Sequence, residues 1–486
     1  MNGTSSNPRA VKPTAAKLRV VSGTRSDAGE QLYAAQPKIY PREVKGRFAR
    51  LRLIAACALL GLFYLMPWVQ WQGRQAVLFD LPARKFYIFG LTFFPQDFFL
   101  LTWLLVIAAL SLFFFTALAG RLWCGYACPQ TVWTEAFVWM ERWTEGTRQQ
   151  RMKLDRGPWT FEKVLRKSAK QTLWLTFALY TGVTFVGYFS AIRELVPNLF
   201  TASLGTWETF WVLFYGFATY GNAGYMREQV CKYMCPYARF QGAMFDRNTL
   251  IISYDEARGE PRGSRARGAD YRAAGLGDCV DCTLCVQVCP TGIDIRKGLQ
   301  LECIACAACI DACDSVMDRM QYPRGLIRYS TENAMQGKPT RIVRPRTVIY
   351  AILLVGLITG FATAVAHREL VEIDVLRDRN ALYRHVEGRL IENVYSVRFV
   401  NKDTRAHQMT LSVEGLPGAV IDSEQELHTV GPGAVVTVPI RIRVAEQTVS
   451  GGVDVSIIAR SAEENAIESR TQTRFIAPVA SPGGRP

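Results

Sequence analysis

Two runs of four cysteines lie close together in the second half of the chain. Their cysteines are separated by two, two and three residues, in Cys279-x-x-Cys282-x-x-Cys285-x-x-x-Cys289 and Cys303-x-x-Cys306-x-x-Cys309-x-x-x-Cys313. This spacing is typical of chains that hold two [4Fe-4S] clusters, in which the fourth cysteine of each run ligates the other cluster. The rule assigns one cluster to Cys279, Cys282, Cys285 and Cys313, and the second to Cys303, Cys306, Cys309 and Cys289. The sequence therefore predicts a carrier of single electrons.

A zinc knuckle or a disulfide is the alternative interpretation of these runs. Tetrahedral zinc needs only two C-x-x-C pairs, and eight cysteines in a repeated spacing exceed that need. Pro290 follows the first run, whereas Asp314 follows the second, at a position where ferredoxins often have proline. We expect this difference to alter the packing around Cys313 without removing a ligand.

Four further cysteines form two matching motifs, Cys124-x-x-x-Cys128-Pro129 and Cys231-x-x-x-Cys235-Pro236. A spacing of four places both sulfurs on one side if the segment is helical, and the proline ends or kinks that turn. One such pair alone is more often packing than a site, but two pairs in matching positions favour a function. Soft thiolates suit Cu(I), a further cluster or a redox-active dithiol, and the residues leave these three open.

Five stretches are apolar enough to cross a bilayer, at about 51–71, 93–118, 172–190, 207–225 and 347–366. The first thirty residues lack the apolar core of a secretory signal, so we expect the first stretch to be a retained helix. Residues 1–48 are polar, and we predict that they form a disordered cytoplasmic segment.

The basic residues indicate the orientation of the chain. The net charge is +15, yet the residues from 367 onward hold 14 Lys/Arg against 16 Asp/Glu. The connection 119–170 is rich in Lys and Arg, whereas 191–206 carries only Arg193. Positive loops stay in the cytoplasm, so the N-terminus, the connection 119–170 and the cysteine runs are predicted to be cytoplasmic. A reducing compartment also suits iron-bound thiolates. This distribution speaks against nucleic-acid binding.

The histidines restrict the possible electron carriers. His367, His385, His407 and His428 all come at or after the end of the fifth stretch, which excludes bis-histidine haem among the first four. The sequence has no C-x-x-C-H haem motif and no G-x-G-x-x-G after an obvious strand. The electron donor is therefore expected to be a separate cytoplasmic carrier or membrane quinol.

The C-terminal segment has a different pattern. Apolar and polar residues alternate over 436–444 and 453–457, and turn residues separate short strands, which predicts a β-sandwich. We expect a docking or structural module; a copper site at His367, His385 and His407 is the alternative.

Together these patterns predict a multi-domain integral membrane protein. It would combine an α-helical transmembrane bundle of about five helices, a 2[4Fe-4S] ferredoxin-like α+β domain and a C-terminal Ig-like β-sandwich. The predicted boundaries are 49–226 for the first four helices, 227–345 for the cytoplasmic ferredoxin-like domain, 346–366 for the fifth helix and 367–486 for the periplasmic Ig-like domain.

The chain resembles the FixG/RdxA/CcoG proteins, accessory factors for maturation of cbb3-type cytochrome c oxidase, from about Tyr40 to Pro478. The resemblance rests on Arg121-Leu-Trp-Cys-Gly-Tyr-Ala-Cys-Pro-Gln130, Glu228-Gln-Val-Cys-Lys-Tyr-Met-Cys-Pro-Tyr-Ala-Arg-Phe-Gln241 and Met320-Gln-Tyr-Pro-Arg-Gly-Leu-Ile-Arg-Tyr-Ser330. It implies reduction of Cu(II) to Cu(I) in a bacterial cytoplasmic membrane, with copper-delivery and oxidase-assembly proteins as partners. On this hypothesis Cu(II) is reduced near Cys124, Cys128, Cys231 and Cys235.

Two other functions are compatible with the residues. The chain would be an assembly scaffold whose clusters only sense redox state, or a quinol-coupled electron conduit. Repeated turnover with Cu(II) separates a reductase from a scaffold, and inhibition by quinone analogues identifies the conduit.

The charge asymmetry generates a topology prediction. We expect a reporter fused after His367 to lie in the periplasm and one inserted near Arg156 to lie in the cytoplasm, because basic loops are retained inside. Alkaline phosphatase and green fluorescent protein fusions measure the two locations. Reporters that both act on the same side would contradict five crossings.

Overall fold

The computed structural model describes residues 38–268, 270–379, 381–423, 425–463 and 467–479. They form two compact units. Unit one contains the described residues within Met1–Tyr64, Val106–Phe185 and Leu204–Gly356. Unit two contains those within Leu65–Leu105, Val186–Ser203 and Leu357–Pro486.

Helices dominate the chain up to residue 366. The α-helices, α1 to α14 in chain order, are Arg47–Leu65, Phe98–Ala119, Leu122–Tyr126, Pro129–Glu145, Arg148–Arg156, Phe161–Val186, Ile192–Phe200, Thr206–Thr219, Pro236–Met244, Glu256–Gly259, Leu284–Gln287, Ala308–Met320, Glu332–Met335 and Pro345–Ala366. Two π-helical segments, Tyr220–Met226 and Val230–Met234, lie between α8 and α9.

Three helical stretches are long and apolar enough to cross a membrane: Arg47–Trp68, Pro95–Ala119 and Pro345–Ala366. They coincide with the first, second and fifth predicted stretches, and they make the chain a membrane protein. Their large apolar side chains lie mostly at the surface, where lipid replaces protein as the apolar environment.

The other two predicted stretches are helical but less regular. The first three turns of helix α6 carry charged residues, among them Lys163, Lys167 and Lys170. Helix α8 has 14 residues before the π-helical segment Tyr220–Met226 continues it. Five crossings therefore stay a prediction. With five crossings, the connections after the first and third stretches would lie on the same side of the membrane as the C-terminal domain. These segments belong to one unit, which agrees with that prediction.

The segment before α1 differs from its prediction. Residues 1–37 lie outside the described residues, but residues 38–46, which we expected to be disordered, make specific contacts. The Tyr40 hydroxyl donates to Asp155 at 2.5 Å, and the Arg42 amide donates to the Gln287 carbonyl at 2.8 Å. These partners fix the chain just before it enters α1.

The cysteine-rich segment is a small α+β arrangement within unit one. Strands Ile251–Tyr254 and Ile327–Ser330 pair antiparallel, and α11 and α12 pack near them. Its core includes Ile252, Ile310 and Met317, which are almost fully buried. The predicted ferredoxin-like character is confirmed.

Strands dominate unit two. Short hairpins precede α2, at Gln70–Trp71 with Arg74–Gln75, and at Val77–Asp80, Lys85–Ile88 and Leu91–Phe93. Sequence analysis did not predict these hairpins. The later strands are Val371–Arg377, Arg384–Val386, Leu390–Asn401, His407–Glu414, Val420–Ser423, His428–Val430, Val435–Ala445, Gly452–Ser461 and Glu468–Ile476.

These later strands form the predicted β-sandwich. One sheet runs in the order Val420–Ser423, Val435–Ala445, Leu390–Asn401, Val371–Arg377, with Arg384–Val386 also on Leu390–Asn401. The other runs His428–Val430, His407–Glu414, Gly452–Ser461, Glu468–Ile476. Along Val435–Ala445 the buried residues are Val438, Ile440, Ile442 and Val444, as the alternation predicts.

Candidate electron-transfer site

The eight cysteines of the two runs line two small cavities in unit one. The first cavity is lined by Cys279, Cys282, Cys285 and Cys313. The second is lined by Cys289, Cys303, Cys306 and Cys309, and Cys285 reaches its wall as well. The fourth cysteine of each run thus lies in the cavity of the other run. This is the arrangement expected of crossed ligation.

The surroundings of both cavities fit an iron–sulfur cluster. The remaining wall of the second cavity is mostly isoleucine, with proline, threonine and alanine. Among the described residues no three Cys, His, Asp or Glu side chains converge on a single-ion site. A four-iron cluster does not need such convergence, because its four cysteines are distributed around the cluster.

The backbone of the two runs is duplicated as well as the cysteine spacing. Asp281 and Thr283 have positive φ angles of 51° and 55°, and Ala305 and Ala307 have 54° and 58°. These are the second and fourth residues after the first cysteine of each run. Left-handed residues among right-handed ones turn successive N–H groups into a concave nest, which binds anionic groups such as iron–sulfur clusters. The fit therefore does not rest on the cysteines alone.

Burial controls the protonation of these thiols. Desolvation raises the pKa of Cys303 and Cys313 to about 12 and that of Cys285 to about 11. A buried thiolate is costly unless positive charge lies close to the sulfur. Bound iron would supply this charge and hold the thiolates deprotonated.

The structure also brings the two membrane-proximal cysteine pairs together. Cys124 lies in α3 and Cys128 just before α4, while Cys231 lies in the π-helical segment Val230–Met234 and Cys235 just before α9. Burial raises the pKa of Cys124 to about 12, and nearby Cys128, Cys231 and Cys235 add to the shift. Four soft sulfur donors thus share one neighbourhood.

The local geometry of the pairs differs from the helical interpretation. Helix α3 ends at Tyr126, and Cys128 has an extended backbone with φ −61° and ψ 128°. Pro129 and Pro236 do not end a turn, because each occupies the first position of the next helix, where its missing N–H costs nothing. In both pairs the second cysteine has an extended backbone and the following proline starts a helix. The two motifs therefore resemble each other in backbone structure as well as in sequence.

The first pair lies against the second cysteine run. A Cβ atom on Gly125 would come within 2.8 Å of the Ile304 carbonyl oxygen and 2.9 Å of the Cys306 nitrogen. Tyr126 lies close to Tyr329, whose hydroxyl donates to the Ala305 carbonyl at 2.6 Å. Backbone contact therefore joins Cys124-x-x-x-Cys128 to the loop that carries Cys303 and Cys306.

Two arginines strengthen this junction, and sequence analysis assigned neither of them a role. Arg121 donates to the carbonyl oxygens of Leu301 and Ala238, and Arg52 donates to that of Cys306. Arg121 stands three residues before Cys124, so its position in the motif was a usable signal. Nothing local marked Arg52.

Asp311 connects the second run to the first membrane helix. Its carboxylate accepts hydrogen bonds from the amides of Phe48 at 3.2 Å and Ala49 at 2.7 Å, in the first turn of α1. A carboxylate at this position satisfies free N–H groups and complements the helix dipole. A Cβ atom on Gly46 would lie 2.3 Å from this carboxylate, which explains the glycine.

The fold and these sites define the class of protein: a membrane-bound iron–sulfur redox protein with an Ig-like domain. Three family descriptions match the chain: "4Fe-4S dicluster domain" over residues 226–332, "IG-like fold at C-terminal of FixG, putative oxidoreductase" over 361–478, and "4Fe-4S binding domain" over 100–145. The last of these includes Cys124 and Cys128.

Individual proteins extend the match to most of the chain. Nitrogen fixation protein FixG of Rhizobium meliloti is 37% identical over 84% of this chain and 85% of its own length. RdxB and RdxA of Cereibacter sphaeroides are 39% and 41% identical, over 91% and 80% of this chain and 93% and 85% of theirs. The chain belongs to the FixG/RdxA/RdxB family. A FixG-related protein from Vibrio parahaemolyticus, 26% identical, matches 23% of this chain and 98% of its own with a TM-score of 0.21.

Gly125→Ala is expected to separate the first cysteine pair from the cluster loop. The added methyl group has no space against the Ile304–Cys306 backbone, and such overpacking costs about 1–3 kcal/mol. We expect a lower unfolding temperature and reduced iron content in the purified protein. Gly61→Ala in α1 is the matched control, because its added Cβ would meet no atom of the described residues within 4 Å, apart from its chain neighbours and the backbone of its own helix. Equal iron content and stability in both variants would contradict the close approach.

Cys289→Ser is expected to damage the second cluster rather than that of its own run. The wild-type protein should hold about eight irons, from two four-iron clusters. Electron paramagnetic resonance of the reduced variant measures which cluster signal is lost, with Cys57→Ser as the control. Loss confined to the cluster of Cys279, Cys282 and Cys285 would contradict crossed ligation.

Proposed function

We propose that this chain is a cupric reductase, which passes single electrons through two [4Fe-4S] clusters to Cu(II). The first cluster is held by Cys279, Cys282, Cys285 and Cys313, and the second by Cys289, Cys303, Cys306 and Cys309. Cu(II) binds near Cys124, Cys128, Cys231 and Cys235. One reduced cluster and one Cu(II) ion yield one oxidised cluster and one Cu(I) ion, so the electrons balance.

A single observation carries this proposal: the backbone contact between Gly125 and the Ile304–Cys306 segment. Electron transfer becomes slower as the distance between donor and acceptor grows. The contact makes the second cluster the neighbour of the cysteine pairs and therefore the cluster from which the electron leaves.

The donor set suits Cu(I) as the product. Thiolate ligands favour Cu(I) over Cu(II), so cysteine ligands from these pairs would stabilise the reduced ion and make the reduction more favourable. Cu(I) released there would serve the assembly of a cbb3-type cytochrome c oxidase, in line with the family resemblance. Copper is the substrate of this reaction and not a resident cofactor.

The proposed location follows the loop charges. The chain spans the bacterial cytoplasmic membrane with the iron–sulfur segment in the cytoplasm and the β-sandwich in the periplasm. The sandwich is then available to an oxidase-assembly partner. Reduction itself takes place on the side of the clusters.

The proposal predicts the behaviour of two double variants. Cys124→Ser with Cys128→Ser, or Cys231→Ser with Cys235→Ser, should abolish Cu(II) reduction and leave the cluster spectra intact. Serine retains the size of cysteine and removes the soft ligand. The measurement is Cu(I) formed per cluster-loaded molecule, detected with a Cu(I)-specific chelator under excess reductant.

Cys57→Ser is the matched control, because Cys57 is an exposed cysteine in α1 and belongs to neither motif. Wild-type turnover by both double variants would exclude copper reduction at these pairs. Loss of folded protein without loss of turnover per loaded molecule would assign the pairs a structural role.

A further inference from the structure

A cavity of about 650 Å³ lies within unit one, beside the second cysteine run. Both Cys306 and Cys231 reach its wall, so it touches the second cluster site and one membrane-proximal pair. Its volume lies in the range of small-molecule binding sites. The proposed function leaves the electron donor open, and this cavity is placed to receive one.

Helix α4 contributes one complete face to the cavity. Thr131, Thr134, Glu135, Val138 and Arg142 line it, at the three- and four-residue spacing that keeps side chains on one side of a helix. The opposite wall includes Ala49 and Leu53 from the first two turns of α1. The wall is therefore amphipathic: it combines apolar side chains with polar and charged ones, among them six Lys or Arg and three Glu side chains.

An unsatisfied donor lies at this wall. The Nε atom of Arg142 is buried and has no hydrogen-bond partner among the described residues, although other atoms of the same guanidinium approach Glu135 and Glu43. This Nε atom has almost no accessible surface, so a ligand in the cavity would contact the other atoms of the Arg142 guanidinium.

The position of the cavity at one end of helix α1 favours a lipid-soluble ligand. Helix α1 is apolar and long enough to cross a membrane, and only its first turns border the cavity. The cavity therefore lies at the end of a membrane helix, where a lipid-soluble molecule presents its polar head. Leu53, at the wall, is about half exposed on the surface of α1.

We propose that this cavity binds the head group of a membrane quinol, which donates electrons to the second cluster. The proposal rests on the proposed function for the clusters. One quinol and two oxidised clusters yield one quinone, two reduced clusters and two protons. The second cluster accepts the electrons one at a time and passes the first of them to the first cluster, which stores it until it returns through the second cluster to Cu(II). Glu135 and Glu228 at the wall are carboxylates that accept the protons.

The charges around the second cysteine run favour this donor. Arg52 donates to the Cys306 carbonyl, and Arg121 donates to the Leu301 carbonyl. Positive charge and hydrogen bonds near a cluster stabilise its reduced form and raise its reduction potential. A raised potential is what a quinol, a weaker reductant than the donors of low-potential ferredoxins, requires of its acceptor.

The test uses the full-length, cluster-loaded protein in detergent, oxidised and free of oxygen. A short-chain ubiquinol or menaquinol is added, and loss of cluster absorbance is recorded. We expect both clusters to be reduced by one equivalent of quinol. Thr134→Trp, which fills the cavity, should slow quinol-driven reduction by about tenfold or more, while reduction by dithionite stays unchanged.

Gln149→Trp on α5 is the matched control, because this glutamine is exposed and does not line the cavity. A second comparison uses Glu135→Gln, which should slow the quinol reaction and alter its pH profile, against Glu162→Gln. Glu162 also pairs with an arginine, Arg166, but lies at the surface of α6. Equal quinol rates in the wild type and Thr134→Trp would overturn the proposal.

The outcomes separate this inference from the proposed function. If neither quinol reduces the clusters, but dithionite-reduced protein still reduces Cu(II), the quinol site is overturned and the reductase stands. If quinol reduces the clusters through the cavity, but Cu(II) is not reduced afterwards, the quinol site stands and the copper step fails.

Discussion

The second cysteine run is held in place through its backbone carbonyl groups. Arg121 binds the carbonyl of Leu301, Tyr329 that of Ala305, and Arg52 that of Cys306. Hydrogen bonds from charged donors are about twice as strong as those between neutral groups. Arg52 belongs to α1, and Arg121 stands between α2 and α3, so a loop that wraps a cluster site is attached to the helices that enter the membrane. The remaining geometry of unit one depends on this attachment.

Helix α12 extends the same constraint to both cluster sites. It carries Cys309, which lines the second cavity, and Cys313, which lines the first. Between them, Asp311 accepts two amide hydrogen bonds from the first turn of α1. A displacement of α1 would therefore move cysteines of both cavities together. The close contacts leave no room for a side chain at positions 46 and 125, which explains why both residues are glycine.

The sequence predicted those features that depend on local patterns. The cysteine spacing predicted two groups of four cysteines, and Cys289 and Cys313 each line the cavity of the other run, while their role as cluster ligands stays a prediction. Alternation along 436–444 predicted a strand of the sandwich. It did not predict the left-handed backbone at Ala305 and Ala307, since alanine carries no signal for that conformation.

Contacts between residues far apart in the chain could not be predicted from the sequence either. Arg52 contacts Cys306, and Asp311 contacts Phe48. The partners in each contact are about 250 positions apart in the chain, and no local sequence pattern predicts such a contact. The helical condition attached to Cys124-x-x-x-Cys128 is not met, because helix α3 ends at Tyr126 and Pro129 starts the next helix. The cavity between α1 and α4 likewise becomes visible only when the separate segments are brought together.

The central claim is that electrons stored on the clusters reduce Cu(II). A single-turnover titration tests it most directly: fully reduced protein, freed of excess reductant, is mixed anaerobically with Cu(II) while cluster absorbance and Cu(I) are recorded together. The account predicts about two Cu(I) per chain, because each of two clusters stores one electron, with both signals changing at the same rate. Clusters that remain reduced in the presence of excess Cu(II) would contradict it.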